Sequence, residues 1–207
     1  MSEPRLEAND LRAIMAFVYT DGIEADRFIA KLGYQLRSQG CRVAGIVQHN
    51  DFVRNRTKCD MNVEELASET VLRLSENRGA AARGCRLDRA ALLDAETLLR
   101  RAIDQAPDIV IINKFGRVEA EGGGLREVIV EAVARELPMI IGVPYRNIHQ
   151  WRAFAGDFAI EATDAARVLQ WLQGKGFGIA NLPASHCGAV AIDERSVALG
   201  AASFRSE

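Results

Sequence analysis

Asn113, Lys114, Arg117 and Glu119 follow closely on the apolar run Ile109-Val110-Ile111-Ile112. They bring an amide, an ammonium, a guanidinium and a carboxylate to one place. Such a set can bind an anion, move a proton or orient a substrate. An unbroken branched run is what a strand covered on both faces of a parallel sheet looks like. In open α/β sheets ligands sit outside the carboxyl ends of the strands, which is where these four residues fall. Gly122-Gly123-Gly124 behind them supplies a hinge before the next helix. The competing reading is a solvated loop with a Gly-rich helix start.

A second candidate is the Thr20-Asp21-Gly22 turn, which follows the apolar run AIMAFVY (13–19) and precedes a helix-spaced set, Ala25, Phe28, Ile29, Leu32 and Leu36. A phosphate loop between strand and helix requires Gly, four residues, then Gly-Lys-Ser/Thr, because glycines admit backbone amides to the phosphates and the lysine neutralises them. Here the turn is YTDGIEADRF, with a single glycine, no lysine after it, and carboxylates at Asp21 and Glu24. The pattern fails. A third set lies between residues 49 and 87, where Arg54, Arg56, Lys58, Arg73, Arg78, Arg83 and Arg86 recur. RGAAARGCRLD in that stretch can wrap an anion, or be a solvated basic surface. Cys59 and Cys85 beside arginines are candidate thiol nucleophiles, with His49 as a possible neighbour. Cys41 opens a strand and reads as core. His186-Cys187 has no second ligand pair, so no metal is assigned.

The elements that must position these groups follow from periodicity. The first strand and its helix, closed by Gly40, lead to a second strand at CRVAGIV (41–47). LASETVLRLSENRG contains β-branched residues around a Ser-Glu turn, which gives a β-hairpin from about Met61 to Ser75. Asp88 caps a helix with Leu92, Ala95, Leu99, Ala102 and Ile103 inward, and Pro107 stops it. After the strand at 109–112 comes a helix with Leu125, Val128, Ile129, Ala132 and Val133 inward. MIIGV then runs to Pro144, and Asn147–Ala155 forms a short helix. Phe158–Ile160 reads as an edge strand, and Thr163 caps a last helix. Strands alternating with helices specify a three-layer α/β fold with a mainly parallel sheet. Residues 13–173 form one domain with an insertion at about 49–87. Residues 1–12 read as a flexible amino terminus, and 174–207 as a Gly/Ala/Ser-rich tail with disorder as the default.

The balance of the chain narrows the function. Its 207 residues carry a net charge of −2, which offers no basic face for nucleic acid. No apolar run approaches the roughly 20 residues of a membrane span, and the start lacks the basic-then-apolar order of a signal peptide. The expectation is a cytoplasmic protein with its four cysteines reduced.

The run IINKFGRVEAEGGGLREVI resembles the segment of small P-loop nucleoside triphosphatases of the cancer-related type that follows their Walker B strand. On that resemblance Asn113 stands where those proteins carry the magnesium-associated Asp, Lys114 where they carry the catalytic Glu, Gly116 at their Gly and Glu119 at their second Glu. A closer resemblance is to an uncharacterised bacterial family, a domain of unknown function related to those triphosphatases. It rests on CDMNV (59–63), GCRLD (84–88), NKFGRVEAEG (113–122) and the Asp21-Gly22 turn, and covers about residues 13–172. The resemblance implies a P-loop-like fold. It also implies a link to molybdenum, since genes of that family often neighbour molybdate-transport genes and members are labelled molybdenum transporter ATP-binding proteins. This sequence has no transporter-ATPase signature motif.

Three functions fit. The first is a binding or regulatory protein on a degenerate P-loop scaffold, its partner a small anion or nucleotide-like anionic metabolite. The expected ligand-binding residues are Thr20, Asp21, Gly22, Cys59, Cys85, Arg86, Asn113, Lys114, Arg117, Glu119 and Arg126; the cofactor is unknown. The second is an enzyme using residual nucleotide hydrolysis or Cys/Lys chemistry at the same strand ends, which the missing Walker groups disfavour. The third is an interaction subunit with a decayed site, able to self-associate, with Trp151 and Phe154 as patch or core.

Overall fold

Ile14–Tyr19 forms strand β1, and all six side chains are buried, as an unbroken apolar run requires. The computed structural model describes residues 12–51, 60–75 and 87–179. Helix α1 (Gly22–Ser38) follows β1 and buries Ala25, Phe28, Ile29, Leu32 and Leu36. Strand β2 (Val43–Asp51) pairs in parallel with β5 (Ile109–Ile112) through Val43–Ile46, then continues antiparallel to β3 (Asp60–Glu65). β3 turns into β4 (Thr70–Arg73), which is the expected hairpin. Glu65 holds its turn: the buried carboxylate accepts from the amides of Ala67 at 3.1 Å and Ser68 at 2.7 Å.

Helix α2 (Arg89–Asp104) starts at Asp88, whose side chain accepts from the Ala90 and Ala91 amides. After β5 come a single helical turn, α3 (Arg117–Ala120), and helix α4 (Arg126–Ala134). Strand β6 (Met139–Pro144), helix α5 (Ile148–Ala155), strand β7 (Ala159–Ala162) and helix α6 (Ala165–Gly174) complete the order. Helix α6 is capped by Asp164 rather than Thr163. Asp164 is extended and accepts from the Arg167 amide at 2.8 Å, so the helix starts one residue later than the sequence suggests.

The sheet has seven strands in the order β4-β3-β2-β5-β6-β1-β7. Five are mutually parallel, and the hairpin is appended at one edge. Helices α2, α4 and α5 cover one face around Leu99, Ile103, Val128, Ile129 and Trp151. Helices α1 and α6 cover the other around Ile29, Leu32, Val168 and Leu172. This is the expected three-layer arrangement. Among the described residues no helix is long and apolar enough to cross a membrane. Residues 1–11 and 180–207 lie outside the described residues, as do Cys59, Cys85, Arg86, His186 and Cys187.

Candidate functional site

The chain is fastened on both sides of Lys114. On one side the buried Asn113 ties three elements together. Its backbone amide donates to the Ile46 carbonyl at 2.9 Å, its Nδ2 donates to Asp26 Oδ1 at 2.8 Å, and its Oδ1 accepts from the Gln48 amide at 3.2 Å. On the other side Phe115 is buried against Trp151, with ring centroids 5.3 Å apart, and against Phe154 at 5.6 Å. Its amide donates to the Gly142 carbonyl at 2.7 Å, and its carbonyl accepts from Asn147 Nδ2 at 3.0 Å. With Asn113 and Phe115 both turned inward, Lys114 is directed at the carboxyl-end rim.

There Lys114 lines a cleft of about 600 Å³ with Thr20, Asp21, Gly22, Ile23, Asp26 and Gln48. Its Nζ donates to Gln48 Oε1. Burial pulls the Lys114 ammonium below its ordinary range; the Asp26 carboxylate opposes this, the Arg146 guanidinium reinforces it, and Glu119 opposes it. Tyr19 below is held protonated, since burial and the Asp26 charge push its phenol up.

The helix start beside Lys114 is already satisfied. Asp21 Oδ1 accepts from the amides of Ile23 at 2.9 Å and Glu24 at 3.2 Å. These first-turn N–H groups are the donors that a phosphate would otherwise use. A carboxylate already occupies them, so the turn is built as a helix cap.

The remaining candidates divide. Glu119 is buried beneath its own loop, where one oxygen accepts from the Gly116 amide at 2.9 Å and the other from the Leu125 amide at 3.1 Å. Gly124 closes over it at φ +58°, and a Cβ there would lie 2.1 Å from Glu119 Oε1. Arg126 donates to the Glu119 carbonyl at 3.3 Å and stacks 4.3 Å above the Phe154 ring. Arg117 is exposed and pairs with Glu121 at 2.7 Å. None of these three lines the cleft. The expected charged loop is thus partly the helical turn α3, stapled by Glu119. Glutamine at 119 keeps one acceptor and faces the other amide with a donor, so Glu119→Gln is expected to cost about 1–2 kcal/mol in denaturant unfolding.

Asp26, Gln48 and Arg146 were not among the sequence candidates. Asp26 carries a usable signal: it is a polar residue on the inward face of α1, beside Ala25 and Ile29. His49 points away from this cleft. Its Nε2 lies 2.8 Å from Tyr34 Oη and 3.1 Å from Glu64 Oε2, and the Tyr34 hydroxyl donates to Glu64 at 2.6 Å. Cys41 is half-buried, and burial pushes its thiol up, as suits a packing role. Trp151 is core, with Phe154 packed against it.

Residues 14–171 match the model of the family described as Protein of unknown function (DUF2478). The chain belongs to this family. A curated relative of this DUF2478 chain is the Molybdenum import ATP-binding protein ModC 2 of Bradyrhizobium diazoefficiens, 31% identical over 149 residues. That match takes in 71% of this chain but spans only 16% of the relative's length. No solved structure matches the chain. The mostly parallel seven-stranded sheet between two layers of helices is consistent with the P-loop-NTPase-like fold that the sequence resemblance implies for this DUF2478 chain.

Proposed function

We propose that this chain is a binding or regulatory domain on a degenerate P-loop-like scaffold, and that it takes a small anion or anionic metabolite in the Lys114 cleft. The observation that carries this reading is the ammonium of Lys114, directed into a cleft at the strand ends by the inward anchors Asn113 and Phe115. Asp21, capping α1, argues against a nucleotide's phosphates at the helix start. Thr20, Gln48 and Lys114 offer donors to a smaller ligand. The named activity of the Bradyrhizobium relative makes molybdate the first oxyanion to test, and a regulatory link to molybdenum import the setting. Fold alone does not confer that relative's activity, so the site has to be tested directly.

Melting temperature is measured with molybdate, sulfate, phosphate, and magnesium with ATP or GTP. One of the small oxyanions is expected to raise it, by about 2.7 kcal/mol of stabilisation at roughly 100 times its Kd. Lys114→Ala should abolish the rise. Nucleotide turnover should stay at background, because magnesium-assisted phosphoryl transfer needs a held cation and neutralised phosphate charge. Mutation-sensitive hydrolysis of ATP or GTP, or an oxyanion effect unchanged in Lys114→Ala, overturns the reading.

A further inference from the structure

We propose that Lys114 is an amine nucleophile, condensing with the carbonyl of a small anionic aldehyde or keto acid in its cleft to form an imine. The inference rests on the reading of this cleft as the ligand site and names the class of ligand chemistry there. A reactive lysine needs an ammonium that gives up its proton readily, room for a carbonyl carbon at Nζ, and a fixed direction of approach.

Lys114 has all three. It is half-buried at the wall of a cleft of about 600 Å³. Its approach is set by Asn113 and Phe115, buried on either side. Its Nζ donates to Gln48 Oε1, a neutral amide that lends it less support as a cation than a carboxylate would. Arg146, exposed on the turn after β6, acts electrostatically on both Lys114 and Tyr19 but does not line the cleft. A second cation nearby discourages a positive charge on Lys114. Burial acts in the same direction on the ammonium, against the Asp26 and Glu119 carboxylates.

The chemistry balances without a co-reactant. The lone pair of unprotonated Nζ attacks the carbonyl carbon, and the C=O π pair moves to oxygen, which takes a proton. The carbinolamine nitrogen then gives up its hydrogens as the C=N bond forms, and the hydroxyl leaves as water. Amine and carbonyl become imine and water, with no change of oxidation state. The cleft is open to solvent, so protons and water pass directly.

The experiment uses the full chain with glyoxylate and cyanoborohydride, followed by proteolysis and mass mapping of modified lysines. The sequence holds four lysines, Lys31, Lys58, Lys114 and Lys175, which serve as internal standards. Lys31 is exposed on α1, so access alone would favour it over Lys114. The expected result is an adduct on Lys114 that accumulates several-fold faster than on Lys31 or Lys175. Modification of Lys114 no faster than Lys31 overturns the inference. Lys114→Arg keeps the positive charge but cannot form the imine, and its melting temperature is followed with molybdate, sulfate and phosphate. If an oxyanion stabilises wild type and Lys114→Arg while Lys114 labels no faster than Lys31, the imine inference falls and the binding reading stands. If Lys114 labels fastest and no oxyanion shifts either protein, the inorganic-oxyanion ligand falls and an anionic carbonyl compound stands as the ligand of the cleft.

Discussion

Replacing Gly142 with alanine is expected to destabilise the protein by about 2–3 kcal/mol and to disturb the Lys114 cleft. Gly142 lies in β6, between β5 and β1 in the middle of the sheet. A Cβ there would stand 2.2 Å from the Asn113 backbone carbonyl oxygen, 2.7 Å from Ile29 Cδ1 and 3.2 Å from Tyr19 Cε1. The isoleucine tip can turn aside, but the carbonyl belongs to the backbone that carries Lys114. Overpacking a rigid core typically costs about 1–3 kcal/mol, and a backbone clash belongs at the upper end. Alanine also restricts the unfolded chain, an opposing gain of only about 0.4–1 kcal/mol where the native backbone suits it. The clash therefore wins. For a chain of this size the loss corresponds to a fall in Tm of roughly 4–12 °C. Gly174→Ala is the control: nothing lies within 4 Å of its Cβ position, and it should leave Tm unchanged or slightly higher. An unaltered Tm for Gly142→Ala, or loss of Tm with oxyanion binding intact, would count against this coupling of core to cleft.

That coupling explains what the sequence reveals of the site and what it conceals. Strands such as 109–112 are legible because an apolar run covered on both faces has few other uses. The hairpin at 61–75 is legible from its turn, α1 from its helical spacing and α2 from its Asp88 cap. The abrupt polarity after Ile112 points to Lys114 at a strand end. The partners of Lys114 are another matter. Gln48 is 66 residues away in the chain, and Asp26 is 87 residues from the Asn113 it bonds. Only the sheet order, which sets β2 beside β5 with α1 crossing between, brings them to one rim. Glu119 shows the opposite limit. A carboxylate seven residues past a strand end can face the ligand or fasten its own loop, and the sequence is the same either way. Two backbone amides within hydrogen-bond reach decide for the loop.

Asn113→Asp restores the acid that the triphosphatase resemblance would place at this position, and it is expected to cost about 3–5 kcal/mol near pH 8. In wild type the Asn113 amide donates to Asp26 Oδ1 at 2.8 Å, and both side chains are buried. The substitution turns the donor into a second carboxylate and sets two negative charges face to face. Two carboxylates sharing a site cannot both ionise cheaply, so the folded variant retains a proton to higher pH than the unfolded chain, whose aspartates titrate near about 3.9. The folded state then binds more protons across that window, so its stability rises as pH falls. The gain ends below about pH 4, where the unfolded carboxyls are protonated as well. Denaturant unfolding should show the deficit shrinking steadily from about pH 8 to about pH 5. The exchange variant Asp26→Asn with Asn113→Asp returns an amide opposite a carboxylate and leaves an oxygen at 113 for the Gln48 amide. It is expected to recover most of the loss and to flatten the pH dependence. A single variant as stable as wild type at every pH, or an exchange no better than the single change, would remove the Asn113–Asp26 bond as the clasp between α1 and β5. The clasp also bears on function. In this fold the position after the third parallel strand is committed to holding a helix in place through a neutral amide. The charge that lines the cleft stands one residue on, at Lys114.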